Sequence, residues 1–150
     1  MANFHEIQKF RQKWLWTLIL SPFTISLGLF YTQNNLQSIP VILAAFLGTA
    51  IFLYSVKLSV RVEEDGIHIR LFPLHLSDRV IGFDEIESFN AEDYRPIREF
   101  GGWGLRWRPG KIAYSTSGSK GVRIERNGQK DVMIGSRKPE ELAESIREKL

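Results

Sequence analysis

The spacing of apolar and polar positions changes character twice along the chain. From Trp14 to Tyr31, WLWTLILSPFTISLGLFY, and again from Ile39 to Val56, IPVILAAFLGTAIFLYSV, 18 residues run without a charge. A helix rising ~1.5 Å per residue would make each run ~27 Å long, close to the hydrocarbon thickness of a bilayer. The TQNNLQ between them (32–37) is polar and carries turn formers. Pro40 falls in the first turn of the second run, where its missing N–H costs nothing. Pro22, inside the first, predicts a local kink of the sort membrane helices tolerate. The pattern therefore predicts a transmembrane helical hairpin over 14–56, with spans 14–31 and 39–56. A buried helix pair in a soluble protein competes poorly, since globular helices seldom lack charge over such length. A cleaved signal peptide fits the basic start, but no small-x-small site follows Leu29 and a second apolar run comes at once.

After Val56 the period falls to two. Val60 and Val62 alternate with Ser59, Arg61 and Glu63; Asp65-Gly66 gives a tight turn; Ile67, Ile69 and Leu71 then alternate with His68 and Arg70. That is a β-hairpin. Further strands are expected over 78–81, 86–90, 102–108, 111–116, 120–126 and 129–134. The last pair is joined by Asn127-Gly128, the strongest short hairpin signal. About seven strands with turns every 8–12 residues suit an antiparallel barrel or sandwich. KPEELAESIREKL closes the chain as a helix, with Pro139 at a first position, Glu140 and Glu141 in the first turn and Arg147 and Lys149 in the last. Its stripe of Leu142, Ile146 and Leu150, with Ala143, would cover a barrel mouth. Ahead of the hairpin, Phe4, Ile7, Phe10 and Arg11 stand at helical spacing. They suggest an interfacial amphipathic lead-in over 1–13 or a plain extension of the first helix.

Charge sharpens this picture. All 43 residues from Trp14 to Val56 are uncharged, while 57–150 holds 17 Lys+Arg against 16 Asp+Glu. The pI near 9.3 is thus no nucleic-acid signature, and no nucleic-acid partner is expected. Lys9, Arg11 and Lys13 precede the first span, and Lys57 and Arg61 follow the second, with no charge in the connecting loop. Both termini and the 57–150 domain should then be cytoplasmic, at a cell membrane crossed twice. Trp14, Trp16, Tyr31 and Tyr54, with Lys9, Arg11, Lys13 and Lys57, are the expected interface anchors. Gly28, Ala44, Ala45 and Gly48 are candidates for close helix packing. The chain has no cysteine, which removes disulfides, thiol nucleophiles and thiolate-ligated metals.

The basic FHEIQKFRQKWLW, the EDGIHIR hairpin, the GGWGLR segment and the closing GVRIERNGQKDVMIGSRKPEELAESI together resemble small prokaryotic two-helix membrane proteins with bacterial PH-like domains. The resemblance implies a PH-like antiparallel barrel capped by a C-terminal helix, in an α+β domain over 57–150. It implies binding of lipid, peptide or protein more than chemistry.

The candidate chemistry is sparse. His5, His68 and His75 show no paired ligand spacing, so no metal or cofactor is expected. The acidic runs 63–65, 84–87 and 92–93 suit solvated turns. Ser117-Gly118-Ser119-Lys120-Gly121 lacks the phosphate-loop order and precedes a strand. In FGGWGLRWRPGKIAY (100–114), alternation sends Trp103, Leu105 and Trp107 to one face, with Ile112, Tyr114 and Thr116 on the return strand. Arg106, Arg108 and Lys111, with Ala113 and Ser115, take the other, around a Pro109-Gly110 turn. The tryptophans are expected in the core. The three cations are either a solvated edge that blocks edge-to-edge pairing or a contact for anionic headgroups or a partner. The expectation is a non-catalytic membrane-anchored binding module. A structural accessory subunit of a larger complex, or less readily a membrane-associated enzyme, are the alternatives; oligomeric state is not specified.

Overall fold

The computed structural model describes residues 4–33 and 36–150; residues 1–3 and the centre of the 32–37 turn lie outside it. The chain forms two compact units, one of them 10–56 and the other built from both sides of it, up to Lys9 and from Lys57 to Leu150.

The 10–56 unit is a helix pair, α1 (Lys13–Thr32) and α2 (Ile39–Ser55), the latter preceded by a 3-10 turn. Pro40 occupies the first turn of α2, as expected. Pro22 sits inside α1 and cannot donate to the Leu18 carbonyl; the Ser21 hydroxyl lies 3.5 Å from that oxygen instead. Phe23 and Phe46 stack between the helices with centroids 4.1 Å apart. No residue of either helix is buried within the chain. Among the described residues, α1 is long and apolar enough to cross a membrane, and α2 is an apolar helix of 17 residues.

The other unit is α+β. A four-stranded antiparallel sheet runs in the order β1-β2-β3-β4: β1 (His5–Lys9), β2 (Lys57–Val62), β3 (Ile67–Phe72) and β4 (Arg79–Ile81). A five-stranded sheet runs β5-β8-β9-β7-β6: β5 (Ile86–Asp93), β6 (Gly104–Arg108), β7 (Lys111–Ser115), β8 (Lys120–Arg126) and β9 (Asp131–Gly135). Helix α3 (Pro139–Arg147) follows. Leu58, Val60, Val62, Ile67, Ile69 and Leu71 from the first sheet are buried with Val122, Ile124, Val132 and Ile134 from the second. The α3 stripe joins them through Leu142 and Ile146, against β5, β8 and β2. The terminal Leu150, expected on that stripe, is exposed because α3 ends at Arg147.

Three expectations need correction. The strands close no barrel among the described residues; they make two sheets. The second sheet is not purely antiparallel, because β9 returns from β8 to lie between β8 and β7 and so pairs with β7 in parallel. The N-terminal segment is a strand, not a helix. Its register with β2 runs from His5↔Arg61 to Lys9↔Lys57. Strand alternation, with Phe4 and Gln8 inward and Ile7 outward, overrides the helical spacing of Phe4, Ile7 and Phe10.

That strand is locked down by polar groups. Gln8, 1% exposed, donates from Nε2 to the Gly135 carbonyl at 2.8 Å and accepts the Thr116 hydroxyl at 3.1 Å. Glu6 accepts from the Ser136 hydroxyl and from the Arg137 amide at 3.0 Å. The N-terminal strand is therefore stapled to the turn that leads into α3.

Candidate functional site

The β6–β7 hairpin carries the three cations singled out by the sequence. Its register pairs Leu105↔Tyr114, Arg106↔Ala113, Trp107↔Ile112 and Arg108↔Lys111. Arg106, Arg108 and Lys111 thus share one face and are exposed, as alternation requires. The arginines are folded back toward the preceding turn. Arg106 Nε donates to the Trp103 carbonyl at 3.0 Å. A Cβ on Gly101 or Gly102 would come within 3.2 Å of Arg108 and 3.4 Å of Arg106, so these glycines leave the room the guanidinium groups occupy.

The tryptophans depart from the expectation of a core position. Trp107 shares the face of Leu105 as alternation requires, but β6 is the edge of its sheet and Trp107 is 69% exposed. Trp103 is outside the strand, which begins only at Gly104 with φ of +100°, a backbone region closed to most side chains. Its indole N–H donates instead to the Gly118 carbonyl at 2.8 Å. Ala113, expected to face outward with the cations, is fully buried. The cause is a segment the sequence left unassigned: Tyr94 and a π-helical turn, Pro96–Phe100, cover that face and enclose Ala113 and Met133 with Tyr94 and Phe100.

Arg123 stands on the same face as Arg106 by register, yet it is paired. It reaches Glu92 at 2.5 Å and Glu99 at 3.0 Å. Glu99 titrates below its ordinary value, chiefly because its carboxylate accepts the Arg95 amide, against the opposing effect of burial, and then because of Arg123. The result is an acidic pair bridged by one arginine, beside a tip where Arg106, Arg108 and Lys111 are exposed.

A second charged group was not legible in the spacing. On the outer face of β2–β3, Arg61 lies opposite His68 and Arg70 opposite Ser59. Asp78, at the end of the following loop, binds Arg61 and accepts Arg70 Nε at 2.6 Å. His68 contacts Asp65 at 2.9 Å, and donor atoms of Glu63, Asp65 and His68 all lie within 4.8 Å of one another. Register brings together residues up to 17 positions apart, which motif spacing cannot show. Their close mutual pairing makes this a cross-strand ion network fastening the 73–78 loop to the sheet.

A cavity of about 560 Å³ lies between β1 and α3, lined by His5, Ile7, Arg137, Lys138, Glu141 and Glu148 among others. Its rim mixes both signs of charge.

In the helical unit, two expected anchors meet: Arg11 Nη2 donates to the Tyr54 hydroxyl at 3.3 Å and its guanidinium lies 5.3 Å from the ring centroid. Trp14 and Tyr31 are exposed at opposite ends of α1, Trp16 is half-exposed, and Lys13 opens that helix. Lys9 and Lys57 are exposed cross-strand neighbours, and the Lys57 ammonium sits 5.5 Å from the Phe72 ring centroid. Of the small residues proposed for close packing, Ala45 lines a cavity between the helices with Phe23 and Phe46. Ala44 is exposed, and a Cβ on Gly28 or Gly48 would meet nothing within 4 Å.

Set against known protein families, curated proteins and solved structures, the chain matches none.

Proposed function

We propose that this chain is a non-catalytic, membrane-anchored binding module. The 14–56 hairpin crosses a membrane twice, and the β-rich unit works on the cytoplasmic side, where it engages a protein or an anionic lipid surface. One observation carries the reading. The helix pair, uncharged from Trp14 to Val56 and with no residue buried, is inserted between two strands that are paired neighbours, β1 and β2. Apolar helices that leave every residue at least partly exposed in their own chain call for an apolar phase. Because Lys9 and Lys57 face each other across the ladder, the hairpin must leave and return on one side, which supports an even number of crossings.

The likeness to PH-like domains is supported by the antiparallel β1–β4 sheet, the second sheet and the terminal helix packed on both; the parallel β7–β9 pair departs from it. The surface best suited to a partner is the β6–β7 tip. It offers an exposed Trp107 on one face of the edge strand and Arg106, Arg108 and Lys111 on the other, and tryptophan and arginine are the residues that dominate binding energy at interfaces.

A photoreactive residue at position 107 in native membranes tests this. The expected result is a defined protein or lipid adduct that Arg106→Glu, Arg108→Glu and Lys111→Glu together abolish. The same adducts from position 107 as from the solvent-facing turn position 127 would refute it. Recovery of a stoichiometric membrane partner crosslinked through α1 or α2 would favour an accessory subunit instead.

A further inference from the structure

The β-rich unit passes the chain to the helices at two points, after Lys9 and before Lys57, and the ladder sets Phe72 directly beside Lys57. At this end of the first sheet β3 runs out into the loop Pro73–Asp78. The loop exposes Leu74 at 52% and Leu76 at 78%. Leu74 follows Phe72 by two residues and so stays within ~7 Å of it.

This loop is held, not slack. The His75 amide donates to the Leu71 carbonyl at 2.8 Å, and the His75 ring rests 5.8 Å from that of Tyr114. Its far end is fixed by Asp78, bound by Arg61 and Arg70. The side chains between these fixed points alternate: His75 turns in, so Leu74 and Leu76 are held out. Two large aliphatic side chains fixed into water oppose the hydrophobic effect. Lys9, Lys57 and Arg79, all exposed, belong to the strands that border the loop or the chain crossings. Apolar tips on a loop bordered by strands that carry exposed cations suit a surface that inserts at the boundary of headgroups and acyl chains.

We infer that Leu74 and Leu76 form an interfacial wedge that dips into the anionic leaflet of the membrane in which the hairpin sits. The inference rests on the membrane reading above. The wedge gives the β-rich unit a second, non-covalent hold on the bilayer at the end where its chain departs, leaving the rest of its surface for a partner.

The chain has no cysteine, so single cysteines report position cleanly. Full-length Leu76→Cys, Leu47→Cys (in α2) and Asn127→Cys are labelled with an environment-sensitive dye. Each is reconstituted in phosphatidylglycerol–phosphatidylcholine vesicles bearing spin labels at shallow or deep acyl positions. The expected result is deep quenching at 47, shallow quenching at 76 several-fold above that at 127, and a blue-shifted emission at 76 that weakens in vesicles of phosphatidylcholine alone. Quenching at 76 equal to that at 127, with 47 still quenched, overturns the wedge and leaves the anchored module standing. No quenching at 47 overturns both. Shielding of 76 in native membranes but not in vesicles that hold no other protein overturns the wedge in favour of a protein partner.

Discussion

Gln8 offers a test of how the two sides of the chain are joined. Its carboxamide is buried and serves two partners, the Gly135 carbonyl of β9 at 2.8 Å and the Thr116 hydroxyl just past β7 at 3.1 Å. Gln8→Ala removes both hydrogen bonds and opens a void. A hydrogen bond nets ~0.5–1.5 kcal/mol and the large-to-small change adds to that, so the variant should lose about 2–4 kcal/mol. Gln8→Met keeps most of the volume and isolates the polar part, for about 2 kcal/mol. Lys9→Ala, one residue on and pointing out, should fall within ~0.5 kcal/mol of the parent. A suitable background is the chain with residues 10–56 replaced by Asn-Gly, since Lys9 and Lys57 are antiparallel neighbours of the kind a two-residue turn joins. With a urea slope of ~1–3 kcal/mol per M, the Gln8→Ala midpoint should drop by roughly 0.7–4 M. If Gln8→Ala and Gln8→Met unfold at the Lys9→Ala midpoint, the stapling of β1 across the two sheets is refuted.

Other consequences follow from the packing. Gly135→Ala places a methyl 2.8 Å from the Ser115 Cβ and 3.2 Å from its backbone Cα; it should cost about 1–3 kcal/mol in the same urea assay. Leu142→Ala, which strips the fully buried stripe of α3, should cost about 2–5 kcal/mol and raise proteolysis of the C-terminal segment. Burial alone would raise the Asp78 carboxyl, but the hydrogen bonds and charges of Arg70 and Arg61 hold it below its ordinary value. A depressed carboxyl stabilises the fold above its unfolded value, near 3.9, and that contribution is lost as pH falls through the lower folded value. Urea titrations at pH 6 and pH 3 should therefore show a shallower acid loss in Asp78→Asn than in the parent, alongside lower stability at pH 6.

The parts of this fold readable in the sequence are those whose signals are local. Asp65-Gly66 and Asn127-Gly128 mark tight connections, and the alternation of Ile67, Ile69 and Leu71 marks a strand with one buried face. The spacing of Leu142 and Ile146 marks a helix with one buried stripe. What was not readable depends on distant partners. Residues 5–9 become a strand because β2 supplies a ladder some 50 positions on, and no local period announces it. The burial of Ala113 follows from the covering turn at 96–100, and the exposure of Trp107 from the place of β6 at a sheet edge. The same limit applied to the charged groups. Arg106, Arg108 and Lys111 were found because a hairpin sets its own parity, whereas Arg61, His68, Arg70 and Asp78 meet only once β2, β3 and the 73–78 loop are in register.

The most direct test of the account is the sidedness of two single cysteines in a cell that expresses the full chain, one replacing Gln37 in the connection between the helices and one replacing Glu148 at the end of α3. The expected result is that a membrane-impermeant maleimide labels position 37 in intact cells and position 148 only after lysis, while both stay in the carbonate-washed membrane pellet. Recovery of the chain in the soluble fraction, or labelling of both positions from the same side, would contradict a twice-crossing anchor with the β-rich unit inside.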